Sequence, residues 1–389
     1  MTRKFFVIAG EESGDVVGAD LIRAMKSRFP DCRINGIGGN AMLAAGLEDS
    51  LFPMSTLSVM GIVEILPRIP EFLKLINQTV AAIEGFAPDA VITIDSPDFC
   101  LRVQKSLKNR ENQAKRIHYV APTVWAWRAG RAKKIAQFLD GLMCLYPFEP
   151  PFFTREGLRA AFTGHPVLSS GILEARAADF LKHHGINPVE KPPIIGFLCG
   201  SRSRELDFSI PLYQKILTQL RQNFPGIIAV FPTLPRFGER LRREFDGGNV
   251  IVTHETGGAK FAAFKACDAA IAVSGTVALE LAVAGVPHVL TYKMNGISWS
   301  IAKLIIHTKF AHLGNILLNN IGENGAVYQE FLQGQARADL ILPALTQMLG
   351  NPQSQKEFAD LSRQLIHLLR PPSPHPMIDF IESVILPPE

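Results

Sequence analysis

Two aspartates in one loop could supply the proton acceptor of an acid–base reaction. Asp95 and Asp98 follow the apolar run Ala90–Ile94 and stand on either side of Ser96-Pro97. Proline restricts the residue before it to extended backbone, so this spacing predicts two carboxylates held on a fixed loop. A carboxylate in an apolar cleft has a raised pKa and can accept a proton from a hydroxyl group. In a plainer interpretation, one aspartate caps the next helix while the other bonds to backbone N–H groups. We expect one structural and one catalytic aspartate.

A second acidic cluster follows the first apolar run of the chain. Residues 10–15 read GEESGD and precede a segment with helical periodicity. Glycine lets a backbone approach a ligand, and a helix N-terminus offers free N–H groups. The charges of Glu12 and Asp15 would repel a phosphate, so the pattern favours sugar hydroxyls or an acid–base role. The alternative is that Ser13 and Asp15 only cap the helix.

A turn in the second half of the chain has the composition of an anion-binding site. Gly200-Ser201-Arg202 follows an apolar run and opens a helix predicted to begin near Ser203. Backbone N–H groups, the helix dipole and the arginine fork suit a diphosphate at this place. Arg204 is the competing cation, and its plainer role is a pair with the neighbouring acid or with solvent.

The same architecture returns at Ser274-Gly275-Thr276, and Glu280 lies one helical turn further on. A carboxylate there can accept hydrogen bonds from a ribose diol. A surface helix with a small-residue turn is the plainer interpretation. The sequence has no Asp-x-Asp motif. Glycosyl transfer without a chelated metal would need cationic side chains and helix N-termini to stabilise a leaving diphosphate.

An aromatic-rich string reads HYVAPTVWAWRAGR and begins at His118. His118 falls inside an apolar strand, where a histidine is more often a core residue than a catalytic one. Trp125 and Trp127 offer flat apolar faces for sugars or acyl chains, although we expect at least one of them in the core. Residues 51–76 and 297–307 are also rich in apolar side chains. They predict either core helices or an acyl-binding, membrane-facing surface.

Composition excludes several classes of protein. The 389 residues carry a formal charge of +4 with basic side chains scattered among acids, which argues against nucleic-acid binding. Five cysteines without CxxC spacing predict reduced thiols rather than disulfides or a zinc site. No apolar stretch is long enough to predict a bilayer-spanning helix, and the N-terminal run is too short for a signal peptide. We therefore expect a protein that is soluble or sits on a membrane surface.

Short apolar runs alternate with helical segments along most of the chain. This alternation predicts an α/β fold of two doubly wound, Rossmann-like domains, and the length also favours two domains. The break falls near residues 164–166. We expect a first domain at 1–165 and a second at 166–350, with the helices of 353–389 as a candidate completion of the first.

Taken together, these motifs resemble those of the lipid-A-disaccharide synthase family, inverting glycosyltransferases of Gram-negative bacteria. The resemblance extends from Gly10 to about Gln333 and rests on the strings AGEESGD, MGIVEIL, DSPDF, HYVAPTVWAWR, YPFE, FTGHP, GSRSREL and SGTVALELAVAGVP. It implies a GT-B fold, in which two Rossmann-like domains face a cleft. The first domain would bind the acceptor and the second the UDP-sugar. Cys199 and Gly314 depart from the family pattern, which has proline at both positions.

The resemblance also implies a reaction. UDP-2,3-diacylglucosamine would donate its sugar to 2,3-diacylglucosamine 1-phosphate (lipid X). The new bond would be β-1,6, formed with inversion and release of UDP, and without a metal ion or a cofactor. Such an enzyme would be cytoplasmic and peripheral on the cytoplasmic face of the inner membrane, in contact with its surface lipids and not with nucleic acid. A homo-oligomer stays open.

The motif match assigns roles to individual residues by resemblance. Asp98 and Glu12 would be the catalytic residues: Asp98 would activate the acceptor hydroxyl, and Glu12 would line the acceptor side. Arg202 would bind the donor phosphates, Glu280 would hold the ribose, and Asn315 would bind near the diphosphate. The other residues carried over as substrate-binding are Met60, Trp127, Ser201, Ser274, Gly275 and Thr276.

Three other functions fit parts of the sequence. A sugar-nucleotide epimerase would share the two-domain frame but would need no acyl-binding surface, and the apolar region 51–76 argues against it. A non-catalytic nucleotide- or lipid-binding module would not need Asp98. A dehydrogenase is the weakest alternative, because the G-x-G-x-x-A string at 36–41 follows the second strand rather than the first. A tight turn explains that string better.

Overall fold

A computed structural model of the protein describes residues 2–58, 69–126, 130–273, 275–294, 299, 308–319 and 325–386. The chain folds as two compact units. One comprises Met1–His165 with Pro371–Glu389, and the other is Pro166–Arg370. The helix Pro352–Leu369 belongs to the second unit. The segment that returns to the first unit is therefore shorter than the 353–389 expected from the sequence.

The first unit is built on parallel strands. They are β1 Lys4–Ala9, β2 Arg33–Ile37, β3 Ala90–Ile94, β4 Lys115–Tyr119, β5 Gly141–Cys144 and β6 Ala160–Phe162. They form a six-stranded sheet in the order β2-β1-β3-β4-β5-β6. All five residues of β3, AVITI, are buried, as is typical of a parallel strand with helices on both faces. The described helices between these strands are α1 Glu12–Arg28, α2 Asn40–Ala45, α3 Ser55–Ser58, α4 Ile69–Phe86, α5 Pro97–Asn109, α6 Arg131–Ala136 and α7 Pro150–Thr154.

The second unit repeats this plan. Its strands are β7 Ile194–Leu198, β8 Ile228–Pro232, β9 Val250–Thr253, β10 Ala269–Val273, β11 His288–Tyr292 and β12 Glu330–Leu332. They form a parallel sheet in the order β12-β11-β10-β7-β8-β9. Its described helices are α8 Ala177–His183, α9 Ser203–Asn223, α10 Pro235–Glu244, α11 Gly257–Ala266, α12 Thr276–Ala284, α13 Leu313–Leu318, α14 Ala338–Gly350 and α15 Pro352–Leu369.

The helix that follows the second unit in the chain, α16 Pro376–Ile385, packs on the first sheet. Ile381 and Val384 join a buried cluster that includes Val7 of β1. A Cβ on Gly141 of β5 would lie 2.9 Å from Cγ2 of Val384, so helix and strand approach closely. Within the described ranges, no helix has both the length and the apolar character that crossing a bilayer requires.

Gly36 in β2 lies where the first sheet has no space for a side chain. It pairs with Val7 of β1, and a Cβ at this position would overlap the Val7 carbonyl oxygen. Because strand pairing holds that oxygen in place, we expect Gly36→Ala to lower the free energy of unfolding by about 3 kcal/mol or more. Urea denaturation measures this change.

Gly85→Ala is the matched control in the same unit. Gly85 lies in α4, and apart from the neighbouring backbone of that helix no atom of the described residues would come within 4 Å of a Cβ at this position. Alanine there should be neutral or stabilise the protein by up to about 1 kcal/mol. Equal losses in the two variants would contradict the packing argument.

Candidate active site

The carboxyl ends of the first sheet bring the acidic turn and the aspartate loop together. Parallel strands place the loops that follow them at one edge of the sheet. Ala9 of β1 pairs with Ile94 of β3, so Gly10 and Asp95 leave the sheet side by side. A Cβ on Gly10 would overlap the side chain of Ser96. The two loops are therefore in contact.

Three of the seven described residues other than glycine that have a positive φ lie at this edge. Asp95, Ser96 and Val120 adopt left-handed conformations, with φ of 48°, 43° and 76°. Such angles are uncommon for residues with a Cβ and most unfavourable for a β-branched side chain such as that of Val120. Strain of this kind persists where the surrounding structure enforces it, and it clusters at functional sites. The strained residues thus mark the same loops as the sequence motifs.

The expectation that Ser96 is extended is wrong. Its carbonyl oxygen accepts hydrogen bonds from the N–H groups of Phe99 and Cys100 at 3.1 and 3.0 Å, so Ser96 must already turn into α5. Its left-handed backbone, with φ 43° and ψ 56°, makes that turn. It also avoids the right-handed α conformation that proline disfavours in the preceding residue.

The two aspartates of this loop occupy different environments. Asp98 lies in the first turn of α5 with its side chain exposed, where the helix dipole stabilises a carboxylate. Asp95 is half-buried, and burial raises the pKa of its carboxyl group while the backbone N–H of Ser96 opposes that shift. The raised pKa expected for a carboxylate of this loop therefore belongs to Asp95. Asp98 is the more exposed of the two side chains.

The acidic turn divides in a similar way. Glu12 is the first residue of α1 and is exposed. Asp15 is buried. Its carboxylate accepts hydrogen bonds from the N–H groups of Gly39, Ala41 and Met42 at 2.7, 3.0 and 3.1 Å. Asp15 is thus a capping residue, but it caps α2 rather than its own helix. The same bonds shape the G-x-G-x-x-A string into a tight turn.

His118 is a core residue, as its apolar strand predicted. It is fully buried in β4, and its Nδ1 lies 2.8 Å from Oγ1 of Thr93. Gln104 donates to the same Oγ1 at 3.1 Å and to the carbonyl oxygen of Ile117 at 2.9 Å. Burial lowers the pKa of His118 to about 3, so its ring is neutral near pH 7.

Trp125 is buried among aromatic side chains, edge-on to Tyr146 and Phe148. Its Nε1 donates to Glu149 at 3.1 Å, and the same carboxylate accepts from the N–H groups of Leu145 and Tyr146. Burial raises the pKa of Glu149 to about 7, although these three donors oppose the shift. Trp125 is therefore the tryptophan expected in the core, and Glu149 holds it against the turn that reads YPFE.

Three predicted substrate-binding residues lie outside the described residues. They are Met60, Trp127 and Ser274. Much of the two apolar regions considered for acyl chains lies outside them as well.

In the second unit, Gly200-Ser201-Arg202 forms the turn between β7 and α9. Oε2 of Glu205 accepts from the N–H groups of Ser201 and Arg202 at 2.8 and 3.2 Å. Nη1 of Arg202 lies 3.3 Å from Oε1 of Glu205, so Arg202 forms the ion pair that was one of the two alternatives for Arg204. Arg204 itself is exposed to solvent, which was the other alternative. The N–H groups predicted for a diphosphate are thus bonded within α9. The Arg202 side chain stays 79% exposed and can meet an anion.

The turn that opens α12 lies at the next strand of the sheet. Ala272 of β10 pairs with Leu198 of β7, so this turn and the Gly-Ser-Arg turn leave the sheet as neighbours. Gly275 has φ 137° and ψ −163°, a conformation available almost only to glycine. Thr276 is exposed, whereas Glu280 is half-buried further along the helix.

Asn315 is fully buried, and its side-chain amide forms hydrogen bonds with other groups of the protein. Nδ2 donates to the carbonyl oxygen of Tyr328 and to Oε1 of Glu330, each at 2.8 Å. Oδ1 accepts from the N–H groups of Val327 and Tyr328, also at 2.8 Å. An asparagine amide has two donors and two acceptor positions, so this one is saturated. A side-chain contact with a diphosphate does not fit, and Asn315 instead ties residues 327–330 to α13.

Two buried histidines connect α13 to the turn after α12. Nδ1 of His312 accepts from the N–H of Gly314 at 2.9 Å, so its proton lies on Nε2, 2.7 Å from Nε2 of His288. The His288 proton must then lie on Nδ1, which is 2.7 Å from the carbonyl oxygen of Val286. Burial lowers the pKa of His288 to about 4 and holds the pKa of His312 well below its usual value. Both rings are therefore neutral.

Sequence reasoning missed the residues that brace these loops. Glu149 and Glu205 each bind backbone N–H groups of a neighbouring turn. Arg236 follows β8 and donates from Nη2 to the carbonyl oxygen of Ser201 at 2.7 Å. The YPFE and GSRSREL strings contain the two acids, but Arg236 had no local signal because its partner is on another strand.

Comparisons with known proteins identify the family. A sequence-family model described as Lipid-A-disaccharide synthetase matches residues 5–375. The chain belongs to this family. The lipid-A-disaccharide synthase of Rhodospirillum centenum is 40% identical over 357 residues, or 91% of this chain and 87% of that protein. That of Paramagnetospirillum magneticum is 42% identical over 347 residues, or 88% and 87%. The protein is thus an enzyme, a glycosyltransferase of lipid A biosynthesis.

Solved structures share the fold of this lipid-A-disaccharide synthetase family member at low identity. A UDP-GlcNAc 2-epimerase from Neisseria meningitidis matches with a TM-score of 0.61 and 11% identity, over 94% of this chain and 98% of that one. The kitacinnamycin glycotransferase matches with a TM-score of 0.61 and 15% identity, over 99% and 100%. These likenesses confirm the two-domain α/β fold predicted from the sequence. They do not show which reaction the protein catalyses, because epimerases and glycosyltransferases both have this fold.

The neutral histidine pair makes stability depend on pH. The usual pKa of histidine is 6.5, and that of His288 is about 4, so between these values only the unfolded chain binds this proton. The free energy of unfolding should therefore rise as the pH rises from about 4 to 6.5. His288 accounts for roughly 3 kcal/mol of that rise, at about 1.4 kcal/mol per pKa unit.

His288→Gln should lose this part of the rise, because glutamine does not ionise but can still accept a bond from His312. Urea denaturation from pH 4 to 7 measures the difference. The exposed His367 is the control, and His367→Gln should keep the wild-type dependence. Parallel curves for wild type and His288→Gln would show that His288 does not titrate in this way.

Proposed function

We propose that this protein transfers 2,3-diacylglucosamine from UDP-2,3-diacylglucosamine to 2,3-diacylglucosamine 1-phosphate (lipid X). The products are the β-1,6-linked disaccharide 1-phosphate and UDP. The family match over residues 5–375, with relatives at 40% identity, carries the proposal. Because both substrates have acyl chains, we place the enzyme at the cytoplasmic face of the inner membrane.

On the acceptor side, Asp98 is the proposed general base. Its exposed carboxylate takes the proton of the 6-hydroxyl as that oxygen attacks the anomeric carbon of the donor. The bond from this carbon to the diphosphate oxygen breaks, and UDP leaves with the bonding electrons. Attack opposite the leaving group inverts the anomeric configuration. Glu12, exposed on the turn that contacts the Asp98 loop, accepts hydrogen bonds from acceptor hydroxyls.

On the donor side, positive charge must stabilise the diphosphate as it leaves. Arg202 offers an exposed guanidinium, which can bind phosphate oxygens in a bidentate manner. The turn at Gly275 and Thr276 offers the N-terminus of α12 to the same negative charge. Glu280, on the next turn of α12, binds the ribose.

Because the Neisseria epimerase shares this fold, the test of glycosyl transfer also includes epimerisation as an outcome. UDP release separates the two. Purified protein is given UDP-2,3-diacylglucosamine in detergent and EDTA, with and without lipid X. UDP release only with both substrates, matched by disaccharide 1-phosphate, is expected. An altered donor sugar without lipid X would favour epimerisation, and bound UDP without turnover would favour a binding module.

Loss of the proposed base should slow chemistry without weakening donor binding. We expect Asp98→Asn to lower kcat by roughly 10²- to 10⁴-fold, the usual range for a general base, with unchanged affinity for UDP. Asp179 is also an exposed aspartate in the first turn of a helix, and Asp179→Asn should keep the wild-type kcat. A loss of only about two- to three-fold in Asp98→Asn would remove Asp98 from this role.

Loss of the phosphate-binding cation should weaken UDP binding. We expect Arg202→Ala to cost about 1.5–3 kcal/mol of binding free energy, as for a charged hydrogen bond, measured by titration calorimetry. Arg204 is an exposed arginine two residues further along, and Arg204→Ala should cost less than about 0.5 kcal/mol. Unchanged UDP affinity in Arg202→Ala, or equal effects in both variants, contradicts the assignment.

A further inference from the structure

The carboxylate proposed for the ribose is held by a lysine from the preceding helix. Nζ of Lys260, in α11, lies 2.6 Å from Oε2 of Glu280, in α12. Both side chains are partly shielded, with 29% and 15% of their surfaces exposed. An ion pair in such a place is screened less by water and salt than a pair on an open surface.

The lysine is itself fixed in position. Its ammonium lies 5.2 and 5.4 Å from the ring centroids of Phe261 and Phe264, both of which are buried. Cation–π attraction to these rings limits the positions that the ammonium can take. Lys260 therefore presents its charge to Glu280 from a defined direction.

The two oxygens of the Glu280 carboxylate are left in different situations. Lys260 occupies Oε2, while no donor among the described residues reaches Oε1. A carboxylate accepts several hydrogen bonds, so an oxygen in this situation can accept from a ligand hydroxyl. The ion pair also limits rotation of the Glu280 side chain.

We propose that Lys260 is a positioning residue that holds Glu280 so that its Oε1 accepts a hydrogen bond from a ribose hydroxyl of the nucleoside diphosphate. The proposal rests on the donor site proposed above. Its consequence is specificity for the sugar of the nucleotide. An acceptor aimed at a 2′-hydroxyl favours ribose over 2′-deoxyribose, and an unheld carboxylate loses part of that preference.

The test compares UDP with 2′-deoxy-UDP by titration calorimetry in the wild type, Lys260→Met, Glu280→Gln and Lys265→Met. We expect the wild type to prefer UDP by roughly 10- to 100-fold, the worth of a charged hydrogen bond. Lys260→Met should reduce this preference by at least about fivefold, and Glu280→Gln should remove most of it.

Lys265 is the matched control for a structural lysine. It lies on the same helix and donates from Nζ to the carbonyl oxygens of Leu173 and Ala175. Lys265→Met should lower the melting temperature yet keep the wild-type preference for UDP. If Lys260 were only structural, Lys260→Met would also keep the preference for UDP, because any loss of affinity would be the same for UDP and 2′-deoxy-UDP.

Each outcome decides between the proposals. If Lys260→Met keeps the preference while Glu280→Gln loses it, the positioning role is wrong and the ribose site stands. If both variants keep the preference, Glu280 does not bind the 2′-hydroxyl and the proposed positioning role is wrong. If the wild type binds neither nucleotide, the donor site itself is wrong. Should Lys260→Met fail to fold, Lys260→Arg should retain the preference and Lys260→Gln should lose it.

Discussion

Parallel strand pairing is the constraint on which the rest of this structure depends. A parallel strand cannot be joined to its neighbour by a hairpin, so each strand is followed by a loop and usually a helix before the chain returns. The loops after neighbouring strands therefore meet at one edge. In the first unit, pairing of Ala9 with Ile94 joins the acidic turn to the aspartate loop. In the second unit, pairing of Leu198 with Ala272 joins the two small-residue turns.

Two of these loops contain a pair of charged residues that differ in their surroundings. One member of each pair is bound to the protein's own backbone: Asp15 caps α2, and Glu205 accepts from the turn before it. The other member, Glu12 or Arg202, faces solvent. A buried carboxylate is costly unless it accepts hydrogen bonds, so the bound members are fixed by geometry. The exposed members are the ones that we propose to bind substrates.

An apolar run sufficed to predict a strand at Ala90–Ile94, and β3 has these bounds. The hydrogen-bond partners of polar side chains could not be predicted from the sequence in this way. The saturation of Asn315 depends on a strand that follows it at some distance, and periodicity carries no information about such contacts. The prediction of an extended Ser96 failed for a different reason. Proline disfavours the right-handed α conformation in the residue before it, but this rule does not decide which of the remaining conformations that residue adopts. The substrate contacts of Asp98 and Arg202 are still predictions.

The helix α16 belongs to the first unit but follows the second unit in the chain, which affects how the protein folds during synthesis. The strands of the first sheet are made early, but the helix that packs on β4 and β5 of this sheet is made after the whole second unit. The unit that leaves the ribosome first therefore completes its core last, against the usual sequence of domain folding. While the second unit is being translated, the nascent chain lacks the helix that covers the apolar side chains of β4 and β5 in the finished protein.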